Sequence, residues 1–124
     1  MANVGSTLSA GQQLNQNDYL LTPSGNYQLI LQDDDNLVVY QSPGSNQVPR
    51  WSSNTQGQDS QYAIMQTDGN FVIYDSSQPP NALWTTGTRG SPNCVLAIKD
   101  SEDTMSGYTL TIYDPSNHTT TFIE

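Results

Sequence analysis

The chain has 124 residues and a formal charge of −9, and only 12% of its residues are charged, against about 25% in an ordinary soluble domain. That length suits a single domain, 1–124, with its own core. Three basic residues, Arg50, Arg89 and Lys99, are too few to displace counterions from a nucleic acid or to hold an anionic membrane surface, so neither is expected as a partner.

Two Trp, seven Tyr and two Phe run through the chain, unlike disordered sequences, which are highly charged and poor in aromatics. Its polarity rests on Asn, Gln, Ser and Thr, a composition suited to a neutral, hydroxyl-rich ligand. The opening segment from Met1 to Gln13 has no basic stretch followed by an apolar one, so no secretory signal is expected. No apolar run approaches the ~20 residues that span a bilayer, and membrane insertion is not expected. Cys94 is the only cysteine, so no disulfide can form within the chain. Together these features predict a cytoplasmic or non-classically secreted protein.

From Tyr27 onward the chain repeats itself. Gln32, Asp34, Asn36, Val38 and Tyr40 recur as Gln66, Asp68, Asn70, Val72 and Tyr74, a period of 34 residues. A tryptophan in a hydroxyl-rich setting follows each copy: Trp51-Ser52-Ser53-Asn54-Thr55 and Trp84-Thr85-Thr86-Gly87-Thr88. Self-similarity at a fixed period marks one supersecondary unit used repeatedly, each copy burying its apolar face against its neighbours. The units span roughly 20–52, 53–86 and 87–124.

Each unit reads as a β-hairpin. Leu29-Ile30-Leu31 and Leu37-Val38-Val39 flank Asp33-Asp34-Asp35, a turn-forming cluster. A three-residue loop pairs Gln32 with Asn36, Ile30 with Val38 and Gln28 with Tyr40. Strand side chains alternate, so Gln32, Asn36, Val38 and Tyr40 share one face while Leu29, Leu31, Leu37 and Val39 share the other. In the second copy Ala63, Met65, Phe71 and Ile73 form the apolar face. A slip of one residue would bury Gln and Asn, so the register is well specified.

The third copy has decayed. Cys94 to Lys99 resembles the entry strand and Leu110 to Tyr113 the exit strand. Lys99 takes the Gln slot, and Lys99 to Tyr113 spans fourteen steps where Gln32 to Tyr40 spans eight, so about six residues are inserted at the turn. The acidic stretch Asp100-Ser101-Glu102-Asp103 reads as a solvated loop. Phe122 is expected in place of the third tryptophan.

The patterned polar face suits a sugar. Gln and Asn each offer a donor and an acceptor, ionised Asp only acceptors, and the Tyr hydroxyl both; bonds to the charged Asp are the strongest of the set. No metal and no cofactor is called for. Asp33-Asp34-Asp35-Asn36 has the look of a calcium loop, but the acidic residue that closes an EF-hand is missing. His118 is the only histidine and reads as a surface residue, and Cys94 as a small buried hydrophobe. With one of each, no acid–base or nucleophilic constellation can be assembled, and an enzyme is not expected. Trp51 and Trp84 read as core residues before sugar-stacking platforms.

The motif Gln-x-Asp-x-Asn-x-Val-x-Tyr, complete at 32–40 and 66–74, resembles the signature of the bulb-type, monocot-like mannose-binding lectins, and the likeness covers nearly the whole chain. The resemblance implies an all-β, β-prism II fold: three four-stranded antiparallel sheets with pseudo-three-fold symmetry, and Trp51 and Trp84 at the centre. It implies α-D-mannose and mannose-ended glycans as ligands. By that likeness Asp34 and Asn36 (Asp68 and Asn70) hold the axial 2-hydroxyl, Gln32 (Gln66) reaches O3, Tyr40 (Tyr74) reaches O4, and Val38 (Val72) packs on the ring edge. Many plant members place a disulfide cysteine where this chain has Asp35. Of the signature the third unit keeps only Tyr113, with Lys99 in the Gln slot, so mannose is not expected there. A homodimer formed by exchange of the β-prone end, Thr119 to Ile123, and a role in defence or glycan recognition are further implications. The alternative is a protein–protein interaction or bacteriocin-like targeting module that keeps the prism and uses its acidic third face.

Overall fold

Alternation of apolar and polar residues sets the strands and their facing. The computed structural model describes residues 2–123. Within them lie β1 (Thr7–Leu8), β2 (Gln13–Asn15), β3 (Tyr19–Leu21), β4 (Tyr27–Leu31), β5 (Leu37–Gln41), β6 (Val48–Ser52), β7 (Tyr62–Met65), β8 (Phe71–Tyr74), β9 (Ala82–Thr85), β10 (Val95–Asp100), β11 (Tyr108–Asp114) and β12 (Thr119–Phe122). They form three four-stranded antiparallel sheets, ordered β3-β4-β5-β6, β2-β7-β8-β9 and β1-β10-β11-β12.

The hairpin register is the expected one. Gln28 faces Tyr40 and Ile30 faces Val38; Tyr62 faces Tyr74 and Ile64 faces Val72. Beyond the last ladder pair the Gln32 amide donates to the Asn36 carbonyl at 2.9 Å, and the Asp35 amide to the Gln32 carbonyl at 3.1 Å. Asp35 takes φ 77° and Gly69, its counterpart, φ 91°, as the third residue of a three-residue hairpin loop does. Leu29, Leu31, Leu37, Val39, Ala63, Met65, Phe71 and Ile73 are fully buried in one core.

The fourth strand of every sheet comes from the N-terminal stretch, of which the repeat pattern assigns only the end, Leu20 and Leu21. β1, β2 and β3 pair with β10, β7 and β4, so the second and third units each take a strand from outside their own repeat, while β3 joins the first. Each strand drives one leucine into the core. Leu8 lies opposite Leu96, Leu14 opposite Ala63 and Leu20 opposite Leu29, and all three are at most 1% exposed. Because β1 joins the sheet that holds the C-terminal strand, the two ends of the chain close on one another through β10 and β11.

Trp51 pairs with Val39 and Trp84 with Ile73, which turns both indoles to the core side. There they meet edge to face at 5.5 Å, with Phe71 at 6.3 Å from Trp84, the arrangement that aromatic quadrupoles favour. The third unit departs from this pattern. Ile112, the counterpart of Val39, pairs with Thr121, while Phe122 pairs with Thr111. Phe122 therefore faces outward at 65% exposure and does not replace the third tryptophan. Alternation alone decides this, since a shift of one residue along the strand reverses the face. Ile123 closes the core instead.

The insertion occupies Ser101 to Gly107 and is held against the first unit. The Ser24 amide and hydroxyl both donate to the Asp100 carboxylate, and the side-chain bond from Ser24 is the main reason that carboxyl stays below its ordinary range. Tyr27 donates its hydroxyl to the Ser106 carbonyl at 3.1 Å and packs on buried Tyr108, ring centres 5.0 Å apart. Glu102 and Asp103 are exposed, as expected of a solvated loop, whereas Asp100 ends β10 and is braced by Ser24. Cys94 is buried, as expected, and burial pushes its thiol up. His118 is exposed, as expected, but has a partner: its Nδ1 lies 3.0 Å from the Tyr113 hydroxyl.

Candidate functional site

The strand β4, the Asp33–Asp35 loop and the strand β5 bring four of the five first-unit residues into one hydrogen-bonded chain. Tyr40 donates its hydroxyl to Gln32 Oε1 at 2.6 Å. Gln32 Nε2 donates to both Asp34 oxygens, at 3.1 and 3.3 Å, and the Asn36 amide donates to Asp34 Oδ1 at 3.0 Å. Val38 lies beside them on the same face at 4% exposure. The second unit repeats this atom for atom: Tyr74 donates to Gln66, Gln66 Nε2 to Asp68 at 3.1 and 3.3 Å, and the Asn70 amide to Asp68 Oδ1 at 3.0 Å. Val72 is its buried floor.

Behind each site stands a latch built from the hydroxyl-rich segment that follows each tryptophan. Asn36 Oδ1 accepts from the Thr55 amide at 3.2 Å and from the Ser53 hydroxyl at 3.4 Å. A backbone N–H can only donate, so the oxygen of the carboxamide must point inward. The NH2 group, on the opposite side of the carboxamide, has no hydrogen-bond partner among the described residues. Thr55 Oγ1 also donates to the Asp35 carbonyl at 2.7 Å. In the second unit Asn70 Oδ1 accepts from the Thr88 amide and the Thr86 hydroxyl, and Thr88 Oγ1 donates to the Gly69 carbonyl at 2.6 Å. The signal was legible as Ser or Thr at two and four residues after each tryptophan.

At each site the Asp, Gln and Tyr side chains are held by one another, while Asn36 and Asn70, 9% and 6% exposed, lie deeper behind them. Such a set meets a pair of neighbouring hydroxyls with donors and acceptors at fixed angles.

The two pockets are not identical. Arg89 Nε approaches Asp68 Oδ2 at 3.5 Å, with the side chains 75% and 42% exposed; its counterpart beside the first pocket is Gln56. A groove of about 460 Å³ lined by Gln32 and Tyr40 of the first site continues past Tyr19, Leu21, Gln28 and Gln47. In the second unit Tyr62 replaces Gln28 and packs on Tyr74, ring centres 5.5 Å apart. Neither Arg89 nor the β3 residues carry a repeat signal, so the sequence offered no way to find them.

Gly69 is a point of tight tolerance. A Cβ there would lie 2.8 Å from the Ser91 carbonyl and 3.0 Å from that of Thr88, at a φ of +91°. Both obstacles are backbone. Gly69→Ala is expected to lower stability by about 1–3 kcal/mol and to weaken ligand binding at the second pocket alone. Thermal unfolding together with site-resolved NMR titration checks this; an unchanged melting temperature would contradict it.

In the third unit Lys99 and Tyr113 line one groove of about 410 Å³, but no acid or amide completes it. The latch is gone as well, because Thr109 stands where the first unit has Asn36 and Ile123 where it has Ser53.

Three sheets, each with an outward hairpin face, and a repeated polar site on two of them define a β-prism II protein of the lectin class. No protein-family model matches the chain. It is 37% identical over 94 residues to a mannose-specific lectin of Aloe arborescens, a match covering 72% of this chain and 79% of that protein. It is 36% identical over 81 residues to the B-type lectin plumieribetin of Scorpaena plumieri, covering 65% and 66%. Its fold matches the mannose-specific agglutinin of snowdrop (Galanthus nivalis) bulbs, solved with methyl α-D-mannoside, with a TM-score of 0.67 and 30% identity over 87% of this chain and 88% of that one. The chain belongs to the bulb-type, monocot-like mannose-binding lectin family. Some relatives are considerably longer: the match spans only 40% of the mannose-specific lectin of Dendrobium findlayanum.

Proposed function

We propose that the protein is a non-enzymatic lectin that binds α-D-mannose and mannose-ended glycans through two pockets, Gln32/Asp34/Asn36/Val38/Tyr40 and Gln66/Asp68/Asn70/Val72/Tyr74. The observation that carries this reading is the duplicated network in which Asp34 and Asp68 are oriented by Gln and backbone bonds while Asn36 and Asn70 keep an NH2 free. Mannose differs from glucose by an axial 2-hydroxyl, which accepts from that NH2 and donates to the carboxylate. With glucose these groups lose water and gain no partner, at about 1–3 kcal/mol per buried group, a preference of roughly an order of magnitude or more. The relatives named for mannose support the choice of sugar.

Each pocket is shallow and open, so single sugars bind weakly and useful strength comes from several pockets on one glycan surface. A homodimer would double their number. Among the described residues β12 is an edge strand bonded only to β11, so exchanging it between two chains requires breaking one ladder. A defence or glycan-recognition role follows from such multivalent binding.

Calorimetric titration of methyl α-D-mannoside tests the reading. Wild type is expected to bind two sugars per chain, and the Asp34→Ala/Asp68→Ala double variant none. Absence of heat with wild type, or heat retained in the variant, would favour a protein–protein interaction module instead.

A further inference from the structure

We propose that the outer face of the third sheet is a pocket for an anionic pyranose, a sugar ring bearing a carboxylate or a sulfate. The register puts this groove where the other units hold their polar sites. Tyr113 stands at the Tyr40 position, Thr111 at that of Val38, Lys99 at that of Gln32 and Thr109 at that of Asn36, since Ala97 pairs with Thr111 and Lys99 with Thr109. All four line the groove, together with Phe122.

Three features separate it from its neighbours, and all favour an anion on an apolar ring. The turn carboxylate is lost: Asp100 is held by Ser24 and lines a different hollow, shared with Glu102. The charged residue lining the groove is Lys99, the sole lysine of a chain with net charge −9. An ammonium on a flexible stem pairs with carboxylate or sulfate at any approach angle. Phe122 takes the place of Ser52 and Thr85, which pair with Val38 and Val72 in the other units. An exposed phenyl ring beside a cation offers a flat apolar surface to the C–H face of a pyranose. The Thr109, Thr111 and Thr120 side chains and the Tyr113 hydroxyl, oriented by His118, stand around that ring to meet its hydroxyls.

The test is residue-resolved NMR titration of the wild-type chain with D-glucuronate and with glucose 6-sulfate, using methyl glucoside and benzoate as controls. Methyl α-D-mannoside is added throughout, so the first two pockets stay filled if they bind it, and the result does not depend on whether they do. Resonances of Lys99, Thr111 and Phe122 are expected to shift with one or both anionic sugars, and which one identifies the anion. Lys99→Gln is expected to weaken the affinity about tenfold, the worth of one charge-assisted hydrogen bond, and added salt to weaken it further. Phe122→Ala, on an exposed edge strand, is expected to weaken it several-fold. Equal shifts with methyl glucoside, equal shifts with benzoate, or unchanged affinity in Lys99→Gln would each overturn the proposal.

Discussion

Asn36→Asp is expected to abolish sugar binding at the first pocket while leaving the fold and the second pocket intact, so that calorimetry with methyl α-D-mannoside counts one site per chain where wild type has two. The carboxamide has two jobs that the substitution separates. Its oxygen accepts from the Thr55 amide and the Ser53 hydroxyl, and a carboxylate oxygen can do the same. Its NH2 is, in the proposed function, the donor to the sugar, and an acid has none at neutral pH. The new charge also sits next to Asp34, whose Oδ1 accepts from the amide of this same residue. Loss of one donor and the like-charge neighbour together should lower affinity at this pocket well beyond about tenfold. Asn36→Ala serves as the contrast: it leaves the buried Thr55 amide unpaired and should reduce stability by about 1–3 kcal/mol as well. If Asn36→Asp still binds two sugars, the amide is not the donor and the assignment of the axial hydroxyl to it is wrong.

The largest expected loss of stability follows from Leu14→Ala, about 2–5 kcal/mol of a total that for such a domain is about 5–15 kcal/mol. Leu14 is fully buried opposite Ala63, a small residue that cannot expand into the space left behind. β2 has three residues and sends only this side chain into the core, so the cavity also loosens the edge of the second sheet. The Met65 amide donates to the Gln12 carbonyl and the Gly11 amide to the Met65 carbonyl, one residue before Gln66, so the second pocket should weaken before the first. Leu21→Ala, on the outer face and only half-buried, should cost far less. Urea unfolding followed by fluorescence of Trp51 and Trp84 compares the two. Equal midpoints would mean that the N-terminal strands stand outside the cooperative core.

The site was legible before the fold because of two independent regularities. Period-two alternation put Gln32, Asn36, Val38 and Tyr40 on one face, and the 34-residue repeat wrote the same pattern again at Gln66 to Tyr74. The short N-terminal strands carried no such signal: two or three residues are too few to show an alternation, although Leu8, Leu14 and Leu20, spaced by six, were in view. Phe122 departs from expectation for a related reason. Aromatic character suggested a core residue, but facing depends on register, and the register of β12 on β11 is set by pairing across the sheet.

Sequence alone determined the hairpins, their inner and outer faces, and which side chains share each polar site, because these follow from strand geometry within a dozen residues. Tertiary structure alone decided that the N-terminal stretch completes all three sheets, that Ser53, Thr55, Thr86 and Thr88 orient the two asparagines, that Arg89 reaches Asp68, and that the third face gathers Lys99 with Phe122. Those contacts join residues from separate strands and loops, and their positions depend on how three sheets pack around one shared core.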